Sequence, residues 1–408
     1  MHILVLNSGS SSQKCCLFEV GTSLPIDPPQ KLWEGKIDWG DGEFAEISIA
    51  KAETPAQKEK VQVPSRREAI EQLLTTAWKG DNSKVLSSAY IDVVGHRVVH
   101  GGPKRLQATF VDDEVKADIA AVSAFAPLHN RAELEGMKIV QRVLGFVPQV
   151  AVFDTGFHRN IPPAARAYPG PYEWYEHGIH RYGFHGINHE YCTNRVGQLL
   201  GKDPASFRLV NCHIGNGCSL AAVAGGKSVE TTMGFTPLEG LMMGTRSGSV
   251  DPGILTYLMR QKKLDGEQLD QLLNKKSGLL GISGISGDVR AIEQAVQQGN
   301  ERAKLAWGMY LHRLVTGIGA MTAALSGLDV LVFTAGVGEN SVALRKSVCE
   351  KLAFLGVELD PKKNSASPVD EAISTSSSRV HVFVIRAQEE WQIARECWQL
   401  RTQAPARS

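Results

Sequence analysis

The amino-acid sequence predicts an α/β protein made of two related domains, and three observations carry that expectation. Apolar runs of strand length alternate with segments of helical periodicity. One strand-turn-strand layout occurs twice, about half a chain apart. The chain has 408 residues, which at roughly 150 residues per domain allows two or three domains and a large buried core.

The first copy of the repeated layout opens the chain. Ile3-Leu4-Val5-Leu6 is apolar, Asn7-Ser8-Gly9-Ser10-Ser11-Ser12 is small and polar, and Cys15-Cys16-Leu17-Phe18 is apolar again, which reads as a hairpin with a polar tip. The second copy runs through Leu209-Val210-Asn211-Cys212, the turn His213-Ile214-Gly215-Asn216-Gly217, and Ser219-Leu220-Ala221-Ala222-Val223. A third glycine-rich turn, Thr334 to Asn340, is expected after the strand Val330 to Phe333. Helical spacing is read over Ala117 to Phe125, Arg131 to Val143 and Leu305 to Leu325, and Pro361 to Ser378 reads as a surface loop before the strand Val380 to Ile385. An apolar strand ends at Asp154 and a terminal helix begins near Trp391, so the expected domains are 1–153, joined by the returning helix 391–408, and 154–390.

Composition excludes several functions. Lys plus Arg total 44 and Asp plus Glu 43, so no net field draws the chain to nucleic acid or anionic lipid, and a charged ligand must be held locally. The longest uncharged stretch, Leu314 to Leu328, is shorter than the roughly 20 residues that span a bilayer and reads as a buried helix. No leader is visible at Met1-His2-Ile3, and seven cysteines without a CxxC pair suit reduced thiols in a cytoplasm. A cytoplasmic protein with neither membrane nor nucleic acid as partner is expected.

The polar turns suggest phosphate chemistry. Turns of Gly, Ser and Asn can aim backbone N–H groups and hydroxyls at one anion, although ordinary hairpin tips have the same composition. The Walker pattern GxxxxGK[ST] is absent. Arg97 sits in a strand-like run before Val98-Val99-His100-Gly101-Gly102, and Arg246 in Gly244-Thr245-Arg246-Ser247-Gly248. Their planar forks suit carboxylate and phosphoryl oxygens, and structural ion pairs are the competing use. His177, His180, His185 and His189 lie close together, but Gly183 and Gly186 disfavour a helix there and HExxH is absent, which argues against zinc. A histidine that donates a hydrogen bond to a moving phosphoryl group suits the pattern better. Asp154, Glu389 and Glu390 follow strands and suit Mg²⁺ held partly through water, or else helix caps.

Taken together, NSGSSSQK, GHRVVHGG, APLHN, VFDTGFH, RYGFHG, HIGNGCS, MGFTPLEGLMMGTRSGSVDPG, SGDVR, FTAGVGENS and the terminal Glu389-Glu390 closely resemble the acetate kinase family, over nearly the whole chain. The resemblance implies two duplicated ribonuclease H-like domains of the actin, Hsc70 and sugar kinase type with an interdomain cleft. It implies reversible transfer of the ATP γ-phosphoryl group to acetate by direct in-line displacement, with Mg²⁺ (or Mn²⁺), and a homodimer. By the same resemblance Asn7, Arg97, Asp154, His185 and Arg246 are catalytic, and Asn7 and Glu389 hold the metal. Val99, Leu128, His129, Phe184 and Pro237 join Arg97 around the substrate. Ser10, Ser12, Lys14, His213, Ile214, Gly215, Asn216, Gly217, Asp288, Val289, Arg290, Gly336, Val337, Gly338, Glu339 and Asn340 meet the nucleotide.

The chain departs from the family pattern where Arg386-Ala387-Gln388 precede the terminal glutamates in place of PT and an Asn. It departs also at Ser249, in place of Asp, and at Ile187-Asn188-His189, in place of Thr-Ser-His. Two other readings stand beside acetate kinase. A propionate or butyrate kinase would share the fold, and an actin- or Hsc70-like module would turn over ATP without regard to carboxylate.

Overall fold

The computed structural model describes residues 1–9, 12–39, 44–51, 56–62, 65–77, 90–123 and 130–403. The chain divides into two compact units, Met1–Gly156 with Gln388–Ser408, and Phe157–Ala387. Asp154 and Glu389 therefore both belong to the first unit, not to the second as the sequence boundaries had them.

The sheet of the first unit contains β1 (His2–Ser8), β2 (Ser12–Glu19), β3 (Trp33–Trp39), β4 (Phe44–Lys51), β5 (Gln57–Gln62), β6 (Val93–Val98), β7 (Thr109–Phe110) and β8 (Gln149–Phe153). Their order is β5-β4-β3-β2-β1-β6-β8-β7. The sheet of the second unit contains β9 (Leu209–Ile214), β10 (Cys218–Ala224), β11 (Lys227–Thr231), β12 (Val330–Thr334), β13 (Glu371–Ala372) and β14 (His381–Val384), in the order β11-β10-β9-β12-β14-β13. In both, an antiparallel meander leads to a central strand with two parallel strands on its far side and an antiparallel edge strand beyond them. β1 corresponds to β9, β6 to β12 and β8 to β14. This is the duplication the two polar hairpins announced, and it places their tips at equivalent ends of the two sheets.

The central strands β9 and β12 are buried along their whole length and β1 along nearly all of it, as continuous apolar runs require when both faces of a sheet are covered. In β6 the alternation of side chains sets Gly95 and Arg97 on one face. A Cβ on Gly95 would lie 2.6 Å from Ile393 Cγ2 and 2.7 Å from Cys397 Sγ. The absent side chain lets the terminal helix Glu389–Gln403 pack directly on β1 and β6, where Trp391 meets Phe18 at a ring distance of 5.5 Å. The opposite face of this sheet packs on the helices Arg66–Thr76 and Asn130–Leu144 through Leu4, Leu6, Leu73 and Val140.

Several local expectations need correction. The third glycine-rich segment is not an open turn but the short helix Ala335–Asn340, which starts directly from β12. Gly186 does not prevent a helix. It opens Gly186–Leu200, because Gly183 (φ 76°) and His185 (φ 57°) absorb the sharp reversal before it. The segment 361–378 holds the helical turn Pro361–Ser365 and β13, not loop alone, and the terminal helix starts at Glu389, before Trp391. The stretch Leu314 to Leu328 is not a helix buried all round either: in Glu301–Ala324 one stripe, including Leu314, Ile318 and Met321, is covered.

No described helix is long and apolar enough to cross a membrane. All seven cysteines are buried and free of disulfides.

Candidate active site

The first unit gathers its chemistry where β1, β6 and β8 end beside the start of the terminal helix. Arg97 Nη2 donates to Asp154 Oδ2 at 2.6 Å, and Asp154 is 1% exposed. Among the described residues Arg97 Nε and Asp154 Oδ1 are buried without a hydrogen-bond partner, so the pair retains a buried donor and a buried acceptor for a ligand. Burial opposes the charge on Arg97, but the carboxylates of Asp154 and Glu389 outweigh it and raise its pKa above the ordinary value. Asn7 Nδ2 donates to Glu389 Oε2 at 3.2 Å and to Glu390 Oε1 at 3.1 Å. Lys14 lies 3.9 Å from Glu390.

Val99 is buried, and its N–H donates to both carboxylate oxygens of Glu133, at 3.1 and 3.2 Å. Burial pushes the Glu133 carboxyl up to about 8, against the pull of Arg97. Ser10, Leu128 and His129 lie outside the described residues. Ser12 opens β2, and its carbonyl accepts the Gly9 N–H at 2.8 Å.

The second unit brings its groups to the β9–β10 turn. Gly215 N–H donates to Gly217 O at 2.9 Å, closing a tip without side chains at either glycine. A Cβ on Gly217 would stand 3.3 Å from His185 Nε2 and 3.6 Å from Arg246 Nη1, and one on Gly215 would stand 4.0 Å from His213 Nε2. Two imidazoles and a guanidinium thus face the same glycine tip. The His185 and His213 rings stack at 4.0 Å with 13° between planes.

Arg246 Nη1 donates to Pro237 O at 3.2 Å, and burial lowers its pKa from the ordinary value. A backbone bond from Gly244 N to Asn216 O (3.1 Å) fixes the Arg246 loop to the turn, and one from Ser277 N to Thr245 O (3.0 Å) fixes it to the start of the helix Gly278–Ser283. Phe184 is buried, its carbonyl 3.1 Å from His158 Nε2.

Beside this turn lies a cavity of about 520 Å³ whose lining includes Gly215, Asn216, Asp288, Val289, Arg290, Gly336, Val337 and Asn340. It is large enough for a nucleoside and mostly framed by small residues. Asp288 caps the helix Val289–Gln297 and pairs with Arg290 at 2.6 Å, which lowers the Asp288 pKa. Ile214, Gly338 and Glu339 do not line this cavity. Ile214 is core, and a Cβ on Gly338 would lie 3.7 Å from its Cβ. Glu339 accepts the Ala387 N–H at 2.9 Å, and burial raises its pKa.

Sequence reading missed Glu133, Gly287, Glu293 and Ser341. Glu133 looked like one charge on an amphipathic helix, and nothing in its spacing separates it from the exposed Glu135. Ser341 Oγ donates to Glu293 at 2.6 Å on the cavity wall, a pairing over 48 positions that no local pattern reveals.

The chain matches the profile of the acetokinase family over residues 2–395. It is 54% identical over 402 residues to the acetate kinase of Trichormus variabilis, covering 98% of this chain and 99% of that one. It is 55% identical over 404 residues to the acetate kinase of Gloeobacter violaceus, with 98% and 99% covered. Among solved structures, Porphyromonas gingivalis acetate kinase superposes with a TM-score of 0.89 at 40% identity, with 98% and 99% covered. A propionate kinase from Francisella tularensis superposes with a TM-score of 0.88 at 36% identity, with 97% and 98% covered. With its duplicated sheets and glycine-tipped turn, the chain belongs to the acetokinase family.

Proposed function

We propose that this enzyme transfers the γ-phosphoryl group of ATP to acetate, reversibly, giving acetyl phosphate and ADP. The observation that carries the proposal is the convergence of His185, His213 and Arg246 on the Gly215–Gly217 tip beside the cavity. Phosphoryl transfer asks for positioning and for neutralisation of three equatorial oxygens, and an ionised carboxylate needs no base to attack. Arg246 and the two imidazoles supply charge and hydrogen bonds to those oxygens.

In the first unit, Arg97 holds the acetate carboxylate through N–H groups that Asp154 does not engage, and Asp154 keeps the guanidinium in place. For recognition of the acid we carry over Val99, Leu128, His129, Phe184 and Pro237 from the family resemblance, of which Val99 and Phe184 are buried apolar residues of their own units.

Mg²⁺ fits the oxygen donors present: Asn7 commits its Nδ2 to the two glutamates, and no hydrogen bond reaches its Oδ1 among the described residues. Asn7 and Glu389 would hold the ion, which neutralises phosphate charge when bound. Ser10, Ser12 and Lys14 are assigned to the phosphates, and Asp288, Val289, Arg290, Gly336, Val337 and Asn340, which line the cavity, to the nucleoside.

We place the enzyme in the cytoplasm and as a homodimer. The helix Pro252–Lys262 supports the dimer, because it buries no residue yet exposes Ile254, Tyr257 and Met259. Sedimentation of the purified protein tests it, and a monomer at micromolar concentration would remove it.

Acyl phosphate formation from two-, three- and four-carbon acids tests the substrate. Acetate should give the highest kcat/KM, with propionate only modestly lower, because one methylene in an apolar pocket is worth about 1–3 kcal/mol. Best efficiency with butyrate would overturn the choice of acetate.

A further inference from the structure

Asn188 stands at the third position of the helix Gly186–Leu200, fully buried, and none of the roles above uses it. Its Nδ2 lies 2.8 Å from His213 Nδ1 and 3.4 Å from Thr334 Oγ1, and its Oδ1 lies 3.8 Å from Cys192 Sγ. Burial holds the Cys192 thiol protonated, so it can donate to Oδ1. The carboxamide is then oriented with its NH₂ toward His213.

An amide NH₂ only donates, so the ring nitrogen facing it must present its lone pair. The His213 proton consequently sits on Nε2, the nitrogen aimed at the Gly215 tip. The ring has little freedom to turn away, since its backbone is paired in β9 with β10 and β12, and His185 stacks on its face at 4.0 Å.

We propose that Asn188 is a positioning residue that selects the Nε2–H tautomer of His213, so that the imidazole donates a hydrogen bond to a phosphate oxygen at the glycine tip. The tautomer assignment stands on the contacts of Asn188. Its catalytic consequence rests on the kinase reading above.

Asn188→Asp inverts the chemistry at this contact, because a carboxylate accepts and draws the proton to Nδ1. Asn188→Ser shortens the side chain, withdraws the donor from Nδ1 and leaves the tautomers mixed. Loss of a partner that orients a metal-ligating histidine typically costs 10–100-fold, and on the same scale kcat of the aspartate variant should fall roughly 10- to 100-fold. The KM for acetate should stay near wild type, and the serine variant should lose less.

The test is two-bond ¹H–¹⁵N spectroscopy of the full chain labelled at histidine, at about pH 8.5, where unperturbed imidazoles are neutral. The His213 signal is assigned by its disappearance in His213→Gln. The expected wild-type pattern is a protonated Nε2 and a bare Nδ1, and Asn188→Asp should abolish it. A wild-type His213 protonated at Nδ1 overturns the proposal, and needs no variant at 188 to fold. An Asn188→Asp enzyme with wild-type kcat overturns it as well. Wild-type protein that shows Nε2–H but makes no acetyl phosphate would refute the kinase reading while upholding the tautomer.

Discussion

Arg97 and Asp154 form a 2.6 Å ion pair in the first unit, with the carboxylate 1% exposed and its second oxygen without a protein partner among the described residues. Removing one member of such a pair strands a buried charge and typically costs about 3–5 kcal/mol. Asp154→Ala should therefore lower stability to denaturant by that order and abolish turnover. A change under about 1 kcal/mol would show that Arg97 is solvated without Asp154.

Glu133 makes stability depend on pH in a defined direction. Its folded pKa is raised to about 8 from an ordinary 4.5, so between these values the unfolded chain has released a proton that the folded chain keeps. Stability falls as pH rises through this window and levels off above it. Glu133→Gln removes the titrating group. Its melting temperature relative to wild type should climb from pH 5 to about 8 and then stay level. A constant difference would contradict the raised pKa.

Arg246 makes few contacts of its own, with Nη1 reaching Pro237 O and Met243 Sδ. Its replacement by Ala should leave circular dichroism and melting unchanged while kcat falls roughly 10³- to 10⁵-fold, the range for an arginine that meets transition-state charge. Arg246→Lys should recover little, because an ammonium cannot reproduce the planar fork. Stopped-time assays of acetyl phosphate measure both.

Gly95→Val tests how the terminal helix is seated. A Cβ there would come within 2.7 Å of Ile393 and Cys397, and overpacking of this kind costs about 1–3 kcal/mol. The helix carries Glu389 and Glu390, so the variant should also need more Mg²⁺ for half-maximal rate. Unchanged melting and Mg²⁺ dependence would show that the helix shifts freely.

The two hairpins were legible in the sequence because their signal is local: an apolar run, a polar tip and a second apolar run make a hairpin wherever they occur. The position of Arg97 on β6 and of Asp154 just past β8 followed from the same logic. What failed was the reading of glycine. In Ala335–Asn340 and at Gly186 glycine was taken as a helix breaker, yet the reversals are made by positive φ at Ala335, where the first helix begins, and at Gly183 and His185, just before the second. The couplings Arg97–Asp154, Val99–Glu133 and Ser341–Glu293 join distant segments and became visible only in the folded chain. Asn188 was noticed as a departure from the family pattern, but its contact with His213 depends on how the helix seats against β9.

ADP release with and without acetate, in wild type, Arg97→Ala and Arg246→Ala, shows whether phosphoryl transfer to the carboxylate depends on both arginines. Wild-type release should depend on acetate and yield equal acetyl phosphate, and both variants should lose this dependence while remaining folded. ATP turnover that proceeds at the same rate without acetate, or that keeps its acetate dependence when either arginine is removed, would contradict it.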